Sequence, residues 1–248
     1  VDPAGMPYGP FHDIQMVVNG DAARALAELA RDRWTKARCA PLPPPCPPSA
    51  CWPRHVAPDF ENVEIAIART EPACEGRIGA DEVESAFYAM IDAAERTIYI
   101  ENQFLSAEGV ARRIAARMRQ RPDLEVLLVS PETHSSWIES RTMRNGRLAF
   151  MRAFDEHGVT DRVRLMSPAV GCGCDPCGVM VHAKLMIVDD RFLRVGSANL
   201  NNRSLGADTE CDLIIEAAND RQRDVIARLR NALIGHHCGA PAEEVAKT

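Results

Sequence analysis

His182 and Lys184 stand two residues apart in Val179–Asp190, the apolar, β-branched run V-M-V-H-A-K-L-M-I-V-D-D. If the run is one strand, an offset of two places both side chains on one face of a sheet. An imidazole beside an ammonium suits a phosphate: the ring for attack or proton transfer, the cation for charge neutralisation. Asp189 follows His182 at an odd offset, which on a continued strand turns it to the opposite face, so it reads as a strand-end or turn anchor. A second short strand is expected over Arg191–Val195, and Gly196 permits a tight turn after it. Ser197 and Asn199 follow, both small hydrogen-bonding residues able to reach a phosphate oxygen.

H-A-K-L-M-I-V-D followed by G-S-A-N resembles the H-x-K-x4-D signature of the phospholipase D superfamily, with its glycine, serine and asparagine extension. A buried strand holding a hydrogen-bonded core histidine is the plain alternative; spacing and extension together weigh against it. The resemblance implies a phosphodiester cleaved through a phosphohistidine, without metal or cofactor. Such a reaction needs a nucleophile on one side of phosphorus and an acid on the other, and one imidazole cannot fill both positions. Only one such motif is present, so the chain is expected to hold half a site. By resemblance to two-motif enzymes, His182 is the second-motif histidine, the general acid. Lys184 and Asn199 hold the phosphate oxygens, and Ser197 assists.

The missing half comes either from the first-motif half of a longer protein or from a second identical chain. Pro10–Asp21, P-F-H-D-I-Q-M-V-V-N-G-D, together with Arg33-Trp34, is similar to the segment that follows the first motif in two-motif phospholipases D. The longer protein is therefore the preferred expectation. His12 has no lysine two residues on and reads as a turn or strand-end histidine. Glu210 is expected to orient His182, because the superfamily has a carboxylate at a comparable place; Asp208 and Asp212 are rivals. I-Y-I-E-N-Q-F, Ile98–Phe104, is also similar to a stretch of phospholipases D. It places Gln103 or Asn102 at a strand end, to touch the phosphate or to hold a loop. Arg203 either adds charge near the phosphate or pairs with Asp208. Asp189 and Asp190 point opposite ways on a strand and make a poor chelate, so no catalytic metal is expected.

The expected function is that of a phospholipase D, hydrolysing or exchanging a phospholipid headgroup at a membrane surface. The alternatives are another superfamily phosphodiesterase (a nuclease or cardiolipin synthase) or a catalytically incomplete binding module. A net charge of −6 gives no global basic field, so nucleic acid is not an expected partner. No apolar run approaches a membrane span. The chain opens on Val1 rather than Met, so the lack of a targeting segment is uninformative and the compartment stays unassigned. Cys39, Cys46 and Cys51 cluster in one proline-rich stretch, and Cys172, Cys174 and Cys177 in C-G-C-D-P-C. Neither has the spacing of a zinc ribbon, so loop thiols are the default and a structural metal the second choice.

The elements that must position these residues follow from periodicity. Hydrophobic content of 46% with 26% charged residues is that of a globular domain. A helix is expected from Ala22 to about Ala37. Residues 41–58 are proline-rich and cannot be helix or central strand. They divide a remnant of a first half, residues 1–40, from a catalytic domain over 59–248. There strands (63–68, 97–101, 124–130, 163–166, 211–216) alternate with helices (81–96, 109–120, 137–157, 220–235), the third with a possible break at Asn145-Gly146. This pattern predicts an α/β fold, a mixed β-sheet sandwiched between helices.

Overall fold

Alternating apolar runs and amphipathic stripes build one large mixed sheet with helices packed on it. The computed structural model describes residues 5, 7–37, 40, 42–43, 52–74, 76, 78–132, 137–171 and 177–247, with backbone alone for 137–143. In chain order the elements are β1 (Phe11–His12), α1 (Gly20–Lys36), β2 (Ala66–Glu71), β3 (Ala80–Asp81), α2 (Glu82–Ala93), β4 (Thr97–Asn102), α3 (Glu108–Gln120), β5 (Glu125–Val129), α4 (Trp137–Glu156), β6 (Val163–Met166), β7 (Ala169–Val170), β8 (Cys177–Gly178), β9 (Met180–Val181), β10 (Lys184–Val188), β11 (Phe192–Gly196), α5 (Asn202–Gly206), β12 (Glu210–Glu216), α6 (Asp220–Cys238) and α7 (Ala242–Val245). The main sheet runs β3-β2-β12-β11-β10-β4-β5-β6. Its β4, β5 and β6 are parallel, and the other pairings are antiparallel.

Each central strand buries both faces, and its alternate residues serve two cores. Met186, Val188, Ile98, Ile100, Val126 and Leu128 pack under α2, α3 and α4 with Phe87, Ile114 and Phe154. Leu185, Ile187, Tyr99, Leu193 and Ile215 face the other way, against Ile226 and Leu233 of α6, with Ile14, Met16 and Ile65 alongside. The sheet is thus the predicted α/β sandwich. Among the described residues no helix is long and apolar enough to cross a membrane.

The expected single strand over 179–190 is two, because β9 ends at Val181 and β10 begins at Lys184. His182 therefore sits at a break in the sheet, not within a strand. The first strand of the domain starts at Ala66 rather than Val63. α4 runs through Asn145-Gly146 without interruption, because Gly146 lets the helix lie close on Ser106: an added Cβ would stand 2.5 Å from Ser106 Cβ. α6 continues past Gly235 to Cys238 and stops at Gly239 in the left-handed conformation, φ 65°. Of the two cysteine clusters only Cys177 is described, as an exposed free thiol. Cys39, Cys46, Cys51, Cys172 and Cys174 lie outside the described residues, as do residues 41 and 44–51 of the proline-rich stretch.

Candidate functional site

Strand direction gathers the site at one end of the sheet. β10 is antiparallel to β4 and pairs Lys184 with Asn102, so the start of one strand meets the end of the other. β11 ends and β12 begins at the same edge, with Gly196 opposite Asp212. Lys184, Gln103, the loop 197–201 and Glu210 therefore share this end of the sheet. His182 is just upstream, where its backbone N–H donates to the His12 carbonyl at 2.7 Å.

The imidazole of His182 is half-exposed and held on one side. Its Nδ1 lies 2.9 Å from Asp13 Oδ2, and its ring packs against Phe11 at 5.5 Å. A carboxylate only accepts, so the bonded Nδ1 carries the proton and Nε2 is left to meet a substrate. This corrects the expectation for Glu210. Among the described residues the carboxylate bonded to His182 is Asp13, brought in by β1, which pairs in parallel with β9. Glu210 instead accepts from the Ser197 hydroxyl at 2.5 Å. Asp13 escaped the sequence reading because its contact joins residues 169 apart; the available signal was an acid just before the short apolar run Ile14–Val18.

Lys184 is buried, with only 6% of its surface exposed. Its Nζ donates to the His182 carbonyl and, at 3.4 Å, to Gln103 Oε1. Burial pushes this ammonium down to about 8, while Asp13 and Glu210 pull the other way. It is a poorly solvated cation at the sheet end, suited to a phosphate oxygen.

The loop after β11 is fixed from below. Arg194 and Asp212 form a buried ion pair at 2.5 Å; Asp212 Oδ1 accepts from the Ala198 N–H at 3.2 Å, and Arg194 donates to the Ala198 carbonyl at 2.9 Å. Asn102 accepts from the backbone N–H groups of Leu200 (3.0 Å) and Phe104 (3.1 Å), so it holds loops. Gly196 is required here, since a Cβ would stand 1.8 Å from Asp212 Oδ1. Ser197 is pinned by Glu210 and by the Cys211 N–H, 3.0 Å from its hydroxyl. Asn199 Oδ1 is buried without a hydrogen-bond partner among the described residues. Arg203 pairs with Asp208 at 2.7 Å. Asp189 leaves the strand at φ 52° and caps the start of β4, accepting from Glu95, Arg96 and Thr97 N–H groups at 2.6 to 2.8 Å.

A cavity of about 240 Å³ opens beside Ser197 and Glu210, between Arg33 of α1 and Arg69 and Thr70 of β2. On the opposite face of the sheet, His12, Glu101 and His237 bring their donor atoms within 4.8 Å of one another. That donor set is one a divalent metal accepts. However, His12 Nε2 lies 2.5 Å from Glu101 Oε2, the separation of a direct hydrogen bond. Two ligands of one tetrahedral zinc stand about 3.3 Å apart, given metal–ligand lengths of ~2.0–2.1 Å.

Fold and site together define a mixed α/β protein that presents an oriented imidazole, a buried ammonium and a braced serine–asparagine loop at one sheet end. The family model described as "Cardiolipin synthase, PLD-like domain" matches residues 87–233. The chain is 25% identical over 265 aligned positions to "Phospholipase D1" of Cricetulus griseus, covering 87% of this chain and 26% of that protein. It is 27% identical to "Phospholipase D A" of Dictyostelium discoideum, over 86% of this chain and 19% of that one. Among solved structures, phosphatidylserine synthase of Haemophilus influenzae Rd KW20 superposes with a TM-score of 0.51 at 12% identity, over 70% of this chain and 38% of that one. This chain belongs to the phospholipase D superfamily through its PLD-like domain. It spans about a quarter of the length of the first curated relatives it matches.

Proposed function

We propose that this chain supplies the second-motif half of a phospholipase D active site, acting on the headgroup phosphodiester of a phospholipid. The carrying observation is the Asp13–His182 contact, which fixes Nδ1 and leaves Nε2 free for acid–base work beside Lys184. An imidazole from the first-motif half attacks phosphorus, and a P–N bond forms as the P–O bond to the headgroup alcohol breaks. His182 enters as the imidazolium, with Nδ1–H held by Asp13, and gives its Nε2 proton to the departing alkoxide. The same nitrogen then takes a proton from water or an acceptor alcohol, which attacks phosphorus and releases the first imidazole.

Lys184 neutralises a non-bridging oxygen. Asn199 meets another, since a half-turn of its amide presents NH2 in place of the unpartnered oxygen. Ser197 braces the loop, and Gln103 holds the Lys184 ammonium. The cavity beside Glu210 is where the second imidazole enters, with Glu210 orienting that ring rather than His182. Residues 1–40 belong to the first half in this reading, with 41–58 the linker and 59–248 the catalytic domain. In support, α1 has an apolar stripe, Leu26, Leu29, Ala30 and Trp34, yet buries none of its residues.

A lipid substrate is favoured over nucleic acid by the net charge of −6. The test is an assay of the full-length gene product on short-chain phosphatidylcholine beside single-stranded DNA. Choline release that falls about 10²–10⁴-fold in His182→Ala supports the reading. Wild-type turnover in that variant, or DNA cleavage alone, overturns it.

A further inference from the structure

Glu101 is completely buried on the face of the sheet opposite Lys184, and a bare carboxylate there would be costly. Three donors from three distant parts of the chain meet it. His12 Nε2 reaches Oε2 at 2.5 Å, while His237 Nε2 at 3.1 Å and the Tyr99 hydroxyl at 2.5 Å reach Oε1. His236 stacks on His12 at 5.7 Å, and His237 meets it edge-on at 4.7 Å. Burial alone would raise the Glu101 pKa, but the hydrogen bonds from His12, His237 and Tyr99 outweigh it and hold the carboxyl at about 2.

The phosphate chemistry uses none of these groups, yet one of them is next to a residue that it does use. His12 precedes Asp13. Its side chain is tied to Glu101, while its carbonyl receives the His182 N–H at 2.7 Å and the Pro10 carbonyl receives the Met180 N–H at 2.9 Å. β1 is only two residues long and lies outside the main sheet. Four backbone positions of ladder cannot by themselves hold a side chain to catalytic tolerance, whereas a buried charged anchor can.

We propose that Glu101 is a positioning residue: with His237 and Tyr99 it clamps His12, so that the adjoining Asp13 is presented to His182 Nδ1. The clamp joins the N-terminal segment, the central strand β4 and the C-terminal turn of α6 in one hydrogen-bonded group. It deepens the proposed acid–base role of His182 and rests on that role for its effect on turnover, but not for its effect on the ring itself.

The first measurement therefore needs no substrate. In the 248-residue chain labelled with 15N-histidine, the ring nitrogens of His182 report which one carries the proton. In the wild type the neutral ring is the Nδ1–H tautomer alone. Glu101→Gln and His12→Ala lose it, giving averaged tautomer shifts with an unchanged circular dichroism spectrum, and His12→Gln, which keeps a donor for Glu101, restores it. If Glu101→Gln fails to fold, His12→Ala decides, because His12 lies on a short strand outside the main sheet. In the full-length product both damaging variants lower turnover about 10²-fold, as a displaced catalytic group does. A His182 pattern unchanged in folded His12→Ala overturns the clamp. So does a stoichiometric transition metal that survives dialysis of the wild type and is lost in His12→Ala, since that would make the cluster a metal site. A changed pattern without phosphodiesterase activity leaves the clamp standing and overturns the phospholipase reading alone.

Discussion

In the proposed mechanism Asp13 decides which nitrogen of His182 meets the substrate, and Lys184 carries a charge that depends on pH. Truncating Asp13 removes the acceptor at Nδ1, so Asp13→Ala in the full-length product should lose about 10²-fold or more in turnover with little change in KM. Glu210→Ala should leave the His182 ring nitrogens as they are, because Glu210 faces Ser197; a His182 change in Glu210→Ala would reverse the two assignments. Lys184 makes a pH prediction. Its ammonium is held at about 8, below its ordinary 10.5. Sulfate, whose charge is constant over this range, should bind progressively more weakly as pH rises through about 8, read by titration calorimetry. Lys184→Arg should flatten that dependence, since a guanidinium stays charged; a flat profile in the wild type would remove Lys184 from the anion site. The stability sign is the opposite. A lysine whose folded pKa is depressed releases its proton first in the folded state, so this contribution grows from about 8 to 10.5 as the unfolded chain alone stays protonated.

At the scale of elements, the strand-to-loop junction after β11 is the most constrained point. Gly196 lies opposite Asp212, with no room for a Cβ against the carboxylate or the Asp212 Cα, 2.6 Å away. Gly196→Ala should force the Arg194–Asp212 pair apart and lower stability by about 3–5 kcal/mol, the range for breaking a buried ion pair. Urea unfolding gives the number, and a loss within experimental error would show that the strand end yields. This junction also shows what a sequence can reveal. The apolar run, the glycine and the serine–asparagine pair are local, so their spacing was readable, as were the long strands and the helices around them. Asp13 at His182 and His237 at Glu101 are contacts between residues far apart in the chain. No period encodes them. The extent of α6 was hidden for a different reason: Gly235 looks like a stop. It is instead a small residue that the returning chain needs, since a Cβ there would stand 2.5 Å from the Ala240 carbonyl. The helix therefore runs on and carries His237 to Glu101.

For the whole molecule, the sheet separates two tasks. One face, under α2 to α4, supplies rigidity through a continuous apolar core. The other receives α6 and the N-terminal segment, and there the residue before Asp13 is tied down. What the molecule does not bury is equally telling. α1 is joined to the body by polar contacts such as Lys36–Glu71 at 2.7 Å, and Trp34 stays 45% exposed. An apolar stripe left open beside a cavity that contains Glu210 is the surface a first-motif half would cover. A segment bearing H-x-K-x4-D, co-expressed with this chain, should therefore co-purify with it and release choline from short-chain phosphatidylcholine. This chain alone should show little turnover, since one imidazole cannot serve both sides of phosphorus. Charged substitutions at Leu29 and Trp34 should weaken the association while leaving the sulfate affinity of this chain unchanged, because neither residue contacts Lys184. Robust turnover by a purified dimer of this chain, insensitive to those substitutions, would instead mean that two copies of His182 complete the site between them.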